Sequence, residues 1–302
     1  MKIFVTGASG YIGSAVASAL ARAGHDVLGL VRTSSKAPEL ARSEVEPLVA
    51  NLDAPASWRE RARECQVLVH TAAEYTPRNA ELDRATVKEL TALGGRGGNS
   101  SLFVYTSGVW VFGDTAGRMV DESSPRNPPP TAAPRAVTEE LVLAANSPTM
   151  RTLIVRPGCV YGASGSLTAS WFESATKEGG ARIVGEGANR WAMIHRDDLA
   201  EFYVRAVESR AAGEVFNATD RSRNSVRECA SAASRAAGAN GKVLPTSIAD
   251  ATKTYGPMAT CLALDQHIDS SKAVRMLGWQ PRHAGFVDEA PRLFRAWRAS
   301  QS

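Results

Sequence analysis

The sequence predicts an α/β fold in which a doubly wound parallel sheet carries a smaller C-terminal lobe. Strand and helix patterns alternate through the first half of the chain, which is typical of βαβ units. The strands at 67–69 and 102–104 are wholly apolar, as expected of central strands buried on both faces. The first strand runs straight into a glycine-rich turn that opens a helix. Together these three observations predict a nucleotide-binding type of sheet.

The elements follow from these patterns in chain order. In the first half we predict strands at 3–6, 27–31, 67–71, 101–106 and 152–156, and helices at 11–23, 54–64, 80–93 and 136–145. The proline-rich stretch 121–134 is expected to be a loop. Farther on we predict helices at 167–177, 197–208, 224–237 and 270–277, with short strands at 182–184 and 215–218. The large domain is therefore expected over residues 1–160 with returning segments at about 182–220, and the lobe over 161–302.

Composition excludes several classes of function. The 302 residues carry a net charge of only +4, and no basic cluster is interleaved with aromatic residues, which argues against nucleic acid. No apolar run is long enough to span a membrane, and the N-terminal one is too short for a signal peptide. The cysteines lie far apart without paired metal spacing, which predicts no metal site and a reducing, cytoplasmic location. We expect a soluble protein whose partner is a small-molecule substrate.

Three glycines in the first turn point to a ligand. Gly7, Gly10 and Gly13 have the G-x-x-G-x-x-G spacing. Dinucleotide binding needs one glycine for a tight turn, one where the backbone approaches the pyrophosphate, and one where the helix packs closely on the strand. The N-terminus of the following helix offers free N–H groups and a positive dipole to the phosphates. We expect contacts from Gly7, Ser9, Gly10, Tyr11, Ile12 and Gly13.

Further motifs extend this pattern to most of the chain. They are the turn at 6–13, His70-Thr71-Ala72-Ala73, Arg156-Pro157-Gly158-Cys159-Val160-Tyr161-Gly162, the aspartate-led helix start at 195–200, and Ser271-Lys272-Ala273 followed by Leu277-Gly278-Trp279-Gln280-Pro281. With them the chain resembles the extended short-chain dehydrogenase/reductase superfamily, the group that contains NAD-dependent epimerases and dehydratases. The resemblance implies a Rossmann-type domain, a nicotinamide dinucleotide and, in many members, a homodimer. It also implies cofactor contacts from Asn51, Leu52, Thr71, Ala72, Ala73, Thr106, Arg135, Pro157 and Gly158.

The residue after the second strand indicates which dinucleotide is bound. NAD-preferring proteins place a carboxylate about 20 residues beyond the glycine turn to accept the ribose hydroxyls. Here Arg32 occupies that region and is followed by Thr33, Ser34, Ser35 and Lys36. A guanidinium can stack on adenine and pair with a 2′-phosphate. The sequence therefore predicts NADP(H).

The resemblance also implies a catalytic triad, and the chain departs from it. The family places a Ser or Thr hydroxyl five residues before the glycine that is Gly113 here, and that position is Gly108. Ser107 lies one place early, where strand alternation turns it to the opposite face. The family's tyrosine and lysine should precede Glu139 or Glu140. Counting back from Glu139 gives Arg135 and Thr131.

Counting back from Glu140 instead gives Ala136 and Ala132, and neither register contains a tyrosine. Arg135 can hold a ribose or bind a substrate oxygen, but it cannot donate a proton near neutral pH. Our catalytic candidates are Ser107, Thr106, Arg135 and Tyr161. Tyr75 is a further possible donor, whereas we expect a structural role for His195 and an inert, buried thiol at Cys159.

Three functions remain open at this point. The first is an NADPH-dependent oxidoreductase that acts on a small carbonyl compound through a non-standard proton donor. The second is a redox-neutral isomerase, cyclase or lyase on the same fold. The third is a non-catalytic protein that senses NADP(H). Trp110, Phe112, Trp171, Trp191 and Met193 are expected to line or back an apolar pocket.

Overall fold

The computed structural model describes residues 1–74, 76–95 and 100–301. Its strands are β1 (Lys2–Thr6), β2 (Asp26–Val31), β3 (Glu46–Val49), β4 (Val67–His70), β5 (Ser101–Thr106), β6 (Met119–Val120), β7 (Met150–Pro157), β8 (Cys159–Tyr161), β9 (Ala181–Val184), β10 (Met193–His195), β11 (Glu214–Ala218), β12 (Val243–Thr246) and β13 (His267–Ile268). Its helices are α1 (Tyr11–Arg22), α2 (Ala37–Ala41), α3 (Arg59–Arg63), α4 (Asn79–Thr91), α5 (Ala133–Ala144), α6 (Ala169–Glu178), α7 (Arg196–Glu208), α8 (Val226–Ala236), α9 (Ile248–Tyr255), α10 (Met258–Leu262), α11 (Ser271–Leu277) and α12 (Phe286–Ala299).

A seven-stranded parallel sheet forms the centre of the molecule, in the order β11-β7-β5-β4-β1-β2-β3. This confirms the predicted doubly wound α/β fold. The chain builds outward from β1 to β3 and then returns to build the other half from β4 to β11. The order therefore reverses between β1 and β4, and ligands of such sheets bind beyond the carboxyl ends of the strands at that point.

Both faces of the sheet are covered by apolar cores. On one face α1 and α7 pack through residues such as Val16, Leu20 and Phe202. On the other face Phe4 stacks on Trp58 at 5.8 Å between ring centres, and Leu90 of α4 and Val142 of α5 join the same cluster. Because both faces are buried, the strands are apolar on both sides.

The C-terminal lobe has its own core around Trp171, Phe172 and Phe286, contributed by α6, α8 and α12. Strand β9 pairs with β12 inside this lobe. Strand β10 then pairs with β8, which directly follows β7 of the central sheet. Helix α7 and strand β11 then pack on the large domain. Trp279, beyond α11, also packs into the large-domain core.

Some element predictions were wrong, and burial explains one of them. The predicted helix at 54–64 is a 3-10 turn at Pro55–Ser57 followed by the short α3. Trp58 lies between them and is fully buried against Phe4, so the chain turns inward there instead of continuing as a surface helix. The unpredicted elements are α2, β3, β6, β8, β10, β12, β13, α9, α10 and α12. Within the described residues, no helix has the length and apolar character to cross a membrane.

Candidate functional site

The turn between β1 and α1 is packed so closely that a side chain does not fit at two of its glycines. Gly7 has a φ of +69°, and a Cβ there would lie 2.7 Å from the Cα of Ala72. A Cβ on Gly13 would lie 2.1 Å from the Gly7 carbonyl oxygen and 2.5 Å from Thr71 Oγ1. The Gly10 N–H donates to the same Gly7 carbonyl at 2.8 Å. The turn is therefore held against the end of β4 by its backbone.

The N-terminus of α1 is open to an anion. Its N-cap, Gly10, supplies no side-chain hydrogen bond, and the first turn contains no acidic residue. The N-terminus of α8, by contrast, is closed by the Ser225 hydroxyl and the Glu228 carboxylate. The first N–H groups of a helix have no partner within it, and together with the helix dipole they suit a phosphate. These residues fit the diphosphate of a dinucleotide.

The neighbouring predicted contacts lie at the same edge of the sheet. Thr71 follows β4, donates its hydroxyl to the Thr6 carbonyl at 2.7 Å and fixes the start of the segment that includes Ala72 and Ala73. Tyr11 donates its hydroxyl to the Gly162 carbonyl at 2.7 Å, which ties the glycine turn to the end of β8. The remaining two predicted turn contacts are half-buried: Ser9 and Ile12.

The end of β2 carries an exposed cation beside a carboxylate. The Arg32 side chain is 77% exposed, and its Nη1 lies 3.9 Å from Glu74 Oε1. Glu74 is bonded more closely to Arg78, which donates from Nε at 2.9 Å and lowers the pKa of that carboxyl. Arg78 also contacts Asp53 at 3.0 Å. Sequence reasoning missed Glu74 because no local spacing links it to Arg32.

The predicted adenine contacts follow β3 at this edge. Asn51 is exposed, and Leu52 packs partly against the core. Both residues follow β3, and Arg32 follows β2. Because β2 and β3 are parallel neighbours in the sheet, all three residues lie at the same edge. Their contact with a nucleotide stays a prediction.

A buried ion pair distinguishes the two glutamates of α5 from which the registers are counted. Arg156 of β7 donates from Nε and Nη2 to the two Glu139 carboxylate oxygens, at 2.8 and 2.6 Å. Glu139 is fully buried, whereas the Glu140 side chain is 67% exposed. A bidentate pair of this kind fixes the rotation of α5 against the sheet. The register counted from Glu139 predicts Arg135 and Thr131 at the family's lysine and tyrosine positions, and this alignment stays a prediction.

Arg135 reaches from α5 to the end of β5. Its Nη1 donates to the Thr106 carbonyl at 2.6 Å and to the Tyr105 hydroxyl at 3.1 Å. The same nitrogen lies 3.6 Å from Asp83 Oδ1 on α4, and the Arg135 side chain is 24% exposed. The guanidinium is thus held at the edge of the sheet with part of its surface open.

Behind Arg135 lies a buried polar network that sequence reasoning did not find. Asp83 accepts from the Tyr105 hydroxyl at 2.7 Å and from His70 Nε2 at 3.2 Å, and His70 Nδ1 lies 2.6 Å from the Thr6 hydroxyl. Burial raises the pKa of Asp83, but the hydrogen bond from His70 and the charge of Arg135 outweigh it and lower the pKa overall. Asp83 is therefore a carboxylate that anchors the cation.

The three residues at the end of β5 differ in what they face. The Thr106 hydroxyl lies 2.5 Å from the Tyr203 hydroxyl of α7 and is buried. Ser107 Oγ is buried without a hydrogen-bond partner among the described residues. A Cβ on Gly108 would meet only the Pro157 carbonyl oxygen, at 3.9 Å. Gly108 leaves space where the resemblance implies a hydroxyl, whereas the Ser107 hydroxyl, one position earlier, is buried.

No described residue restores the missing tyrosine at its place. Thr131 is exposed, and its hydroxyl lies 3.4 Å from the Pro257 carbonyl between α9 and α10. Tyr161 is fully buried in the lobe core, 5.2 Å from the His195 ring and 5.7 Å from the Phe286 ring. Burial raises the pKa of its hydroxyl far above the ordinary value. Tyr75 lies outside the described residues.

The segment after β7 lies next to the end of β5, because the two strands are neighbours in the sheet. A Cβ on Gly158 would lie 2.4 Å from the Ala192 carbonyl oxygen, so Gly158 allows β8 to approach the chain beside β10. Pro157 ends β7 directly before it. Burial raises the pKa of the Cys159 thiol to about 12, which keeps it protonated and unreactive at neutral pH.

His195 belongs to a histidine pair that the sequence did not reveal. Its ring stacks on the His283 ring with 3.5 Å between centres, and its Nδ1 accepts the Asp197 N–H. One ligand atom each of His195, His283 and Glu289 lie within 4.8 Å of one another. However, the rings are nearly parallel, and Glu289 is bonded to Arg292. Burial, followed by the His283 charge, lowers the pKa of His195 to about 4.

Comparison with known proteins agrees with this geometry. Residues 3–219 match the model of the NAD dependent epimerase/dehydratase family. A ketoreductase from Stigmatella aurantiaca, which acts on 4-hydroxy-2-methyl-3-oxo-4-farnesyl-3,4-dihydroquinoline-1-oxide, is 33% identical over 73% of this chain and 68% of its own. The protein C2A9.02 of Schizosaccharomyces pombe is 28% identical over 96% of this chain and 98% of its own.

Among solved structures, the dTDP-glucose 4,6-dehydratase DesIV from Streptomyces venezuelae, with NAD bound, superimposes with a TM-score of 0.84. It is 22% identical and covers 100% of this chain and 98% of its own, which shows the shared fold. The relatives include reductases and an epimerase. They support an oxidoreductase type of role that uses a nicotinamide dinucleotide.

Proposed function

The chain belongs to the NAD-dependent epimerase/dehydratase family, and we propose that it is an NADPH-dependent reductase of a small carbonyl compound. The observation that supports this most is the position of Arg135, held by the Thr106 carbonyl and Tyr105 beside the open space at Gly108. Bound NADPH would supply the hydride. The chain's own residues bind the carbonyl oxygen and balance its charge.

Arg135 and Ser107 are the two groups that we assign to the carbonyl oxygen. A fixed guanidinium stabilises negative charge that develops on that oxygen, and an orphan hydroxyl such as Ser107 Oγ can donate a hydrogen bond to it. Because Arg135 keeps its proton, the alcohol proton comes from water. We assign Thr106 and Tyr161 supporting roles, since Thr106 anchors Arg135 and Tyr161 packs the lobe core.

The preference for NADPH rests on Arg32. Its exposed guanidinium stands where NAD-preferring proteins have a carboxylate, and its contact with Glu74 is long. The Thr33 and Ser35 hydroxyls lie 3.0 Å apart just beyond it and add donors for a 2′-phosphate. Lys36 is already paired with Glu39, so Arg32 is the main cationic partner.

Fluorescence titration of the purified chain with NADPH and NADH tests the cofactor assignment. We expect tighter binding of NADPH, and in Arg32→Asp a loss of that preference by about 10- to 100-fold, since hydrogen bonds to charged groups contribute about 1.5–3 kcal/mol. Arg42→Asp, a matched change at a second exposed arginine, should leave the preference intact. Binding of neither nucleotide would overturn the proposal.

A redox-neutral reaction is a second candidate, and Thr131 favours it. In the register counted from Glu139, Thr131 falls at the family's tyrosine position, so the usual proton donor for redox chemistry is absent there. A redox-neutral enzyme would convert its substrate without net consumption of NADPH. Following nicotinamide absorbance and product formation in the same reaction therefore separates the two functions.

A further inference from the structure

Three buried side chains link the glycine turn to the end of β5. Thr6 is paired with His70 across β1 and β4, and His70 is paired with Tyr105 across β4 and β5. The His70 and Tyr105 rings are nearly parallel, with 6.0 Å between their centres. We call Thr6, His70 and Tyr105 the polar row. It runs from the residue before Gly7 to the hydroxyl that contacts Arg135.

The two contacts of His70 indicate which of its ring nitrogens carries the proton. The Thr6 hydroxyl lies 2.6 Å from Nδ1, and among the described residues no second acceptor contacts this hydroxyl. Its proton is therefore donated to Nδ1, which must be bare. Nε2 lies 3.2 Å from Asp83 Oδ1, and a carboxylate only accepts, so Nε2 carries the ring proton. The hydrogen bond to one ring nitrogen thus sets the tautomer at the other.

Asp83 connects His70 to Arg135. Its Oδ1 accepts from His70, and its Oδ2 accepts from the Tyr105 hydroxyl at 2.7 Å. Because the proton of that hydroxyl is directed to Asp83, the Tyr105 lone pairs are left to accept from Arg135 Nη1 at 3.1 Å. The hydrogen bonds of the polar row therefore converge on one carboxylate, which lies 3.6 Å from the same Nη1.

The other tautomer of His70 would break the polar row at Asp83. With the proton on Nδ1, the bare Nε2 would face the carboxylate, and two acceptors repel one another. Asp83 would have to move away from His70, although both side chains are buried. The contacts of Asp83 with Tyr105 and Arg135 would then change as well.

We infer that Thr6 and His70 are positioning residues for Arg135; this rests on the proposed carbonyl reduction. The Thr6 hydroxyl keeps His70 in the tautomer that donates to Asp83. Asp83 and Tyr105 in turn keep the guanidinium at the end of β5, where it binds the carbonyl oxygen. Thr6 and His70 are both buried, so they act on the reaction through Arg135.

Thr6→Val tests this inference, since valine keeps the shape of threonine and lacks the hydroxyl. We expect kcat for carbonyl reduction to fall by about tenfold, because a displaced catalytic group loses part of its effect. NADPH affinity should stay the same, since the backbone of the glycine turn is unchanged. Thr6→Ser should recover kcat. Thr152→Val is the matched control and should leave kcat unchanged, because Thr152 is a fully buried strand residue whose hydroxyl has no partner among the described residues.

A double variant shows whether the effect passes through Arg135. If it does, Thr6→Val should lower kcat no further in a protein that already carries Arg135→Ala. The same loss in both backgrounds would overturn the inference. A loss of NADPH affinity as large as the loss of kcat would overturn it too, since damage to the glycine turn would have that effect.

NMR of ¹⁵N-labelled protein separates this inference from the proposed function, because it needs no reaction. The His70 ring signals, assigned by their loss in His70→Gln, should show the proton on Nε2 in the wild type and a mixture of tautomers in Thr6→Val. The Arg135 Nε–H signal should shift in Thr6→Val and stay in place in Thr152→Val. A wild-type proton on Nδ1, or an Arg135 signal that does not respond to Thr6→Val, would overturn the inference. If these signals behave as expected but no carbonyl compound is reduced, the proposed function is wrong and the positioning of Arg135 stands.

Discussion

The glycine turn after β1 and the end of β5 lie at the same edge of the sheet, yet they relate to the family in opposite ways. The turn keeps the family's pattern, and its backbone leaves no room for a Cβ at Gly7 or Gly13. The end of β5 departs from it, since Gly108 stands where the resemblance implies a hydroxyl, and Arg135 is the residue proposed at the lysine position. One edge of the sheet therefore combines a region that keeps the family's pattern with one that does not.

This difference shows on what the glycine turn and the end of β5 each depend. The turn depends on backbone packing, which tolerates few residue types, so the same sequence spacing recurs wherever the cofactor is bound. The arrangement at the end of β5 depends on a few side chains that different elements bring together. Such side chains can be replaced without disturbing the fold, so one fold serves many reactions.

The strongest test of the comparison is Gly13→Ala. The new Cβ would lie 2.1 Å from the Gly7 carbonyl oxygen, so the turn or the start of α1 must shift. We expect NADPH binding to weaken by about 100-fold or more, since the phosphates lose oriented N–H groups. Titration with NADPH measures this, and circular dichroism shows whether the fold is kept.

A second glycine at the other end of α1 gives the control. Gly24 has a φ of +83° and open space around its Cβ position, so Gly24→Asn should be tolerated, because Asn adopts positive φ more readily than most residues. Unchanged NADPH affinity in Gly13→Ala would show that the turn does not bind the dinucleotide.

The next largest effect is expected at Arg135. In Arg135→Ala, kcat should fall by about 100-fold, the order seen when one stabilising donor to a developing oxyanion is removed. NADPH affinity should change by only a few fold, because the glycine turn and Arg32 are intact. Arg135→Lys keeps the charge and should recover part of kcat. Steady-state kinetics of NADPH-dependent reduction of a small carbonyl compound measures both.

Arg84→Ala is the matched control, since Arg84 is an exposed arginine of α4 next to Asp83. It should leave kcat unchanged. If Arg135→Ala lowered NADPH affinity as strongly as kcat, Arg135 would be a cofactor-binding residue and not a partner of the substrate oxygen.

Asp83 lies beside Arg135, and its buried charge makes the stability of the fold depend on pH. In Asp83→Asn the buried network loses its negative charge, and we expect the free energy of unfolding at pH 7 to fall by about 1–3 kcal/mol. The folded-state pKa of Asp83 is lowered, so its contribution is present above the unfolded value of about 3.9 and is lost as the pH falls through the folded value.

Urea unfolding at several pH values tests this. The difference in stability between the wild type and Asp83→Asn should be constant above pH 5 and should shrink below pH 4. Glu81→Gln, at an exposed position in the first turn of the same helix, should not reproduce the loss. A difference that grows on acidification would contradict the assigned direction.

The glycine turn after β1 and the end of β5 also differ in how far the sequence predicts them. The fold and the glycine turn follow from local spacing and apolar patterns, and the predicted bounds of β5, 101–106, agree with the structure. Which of Glu139 and Glu140 is buried could not be predicted, because it depends on the pairing of Glu139 with Arg156, a contact between separate elements. Asp83, His70 and Tyr105 come from α4, β4 and β5, and no sequence interval relates them. The break at Trp58 was missed for the same reason, since its burial against Phe4 is a tertiary contact.

The smallest expected effect concerns Glu74 and sharpens the cofactor side of the comparison. Glu74 lies 3.9 Å from Arg32, so its carboxylate both competes for the guanidinium and repels a 2′-phosphate. Glu74→Gln should therefore tighten NADPH binding by about two- to fivefold, in keeping with exposed ion pairs of up to about 1 kcal/mol. NADH binding should change less, because NADH lacks that phosphate. Raising the salt concentration should reduce the gain, since the contact is exposed. Weaker NADPH binding in Glu74→Gln would instead mean that Glu74 holds Arg32 in the orientation that the phosphate needs, and the loop after β4 would then be part of the cofactor site.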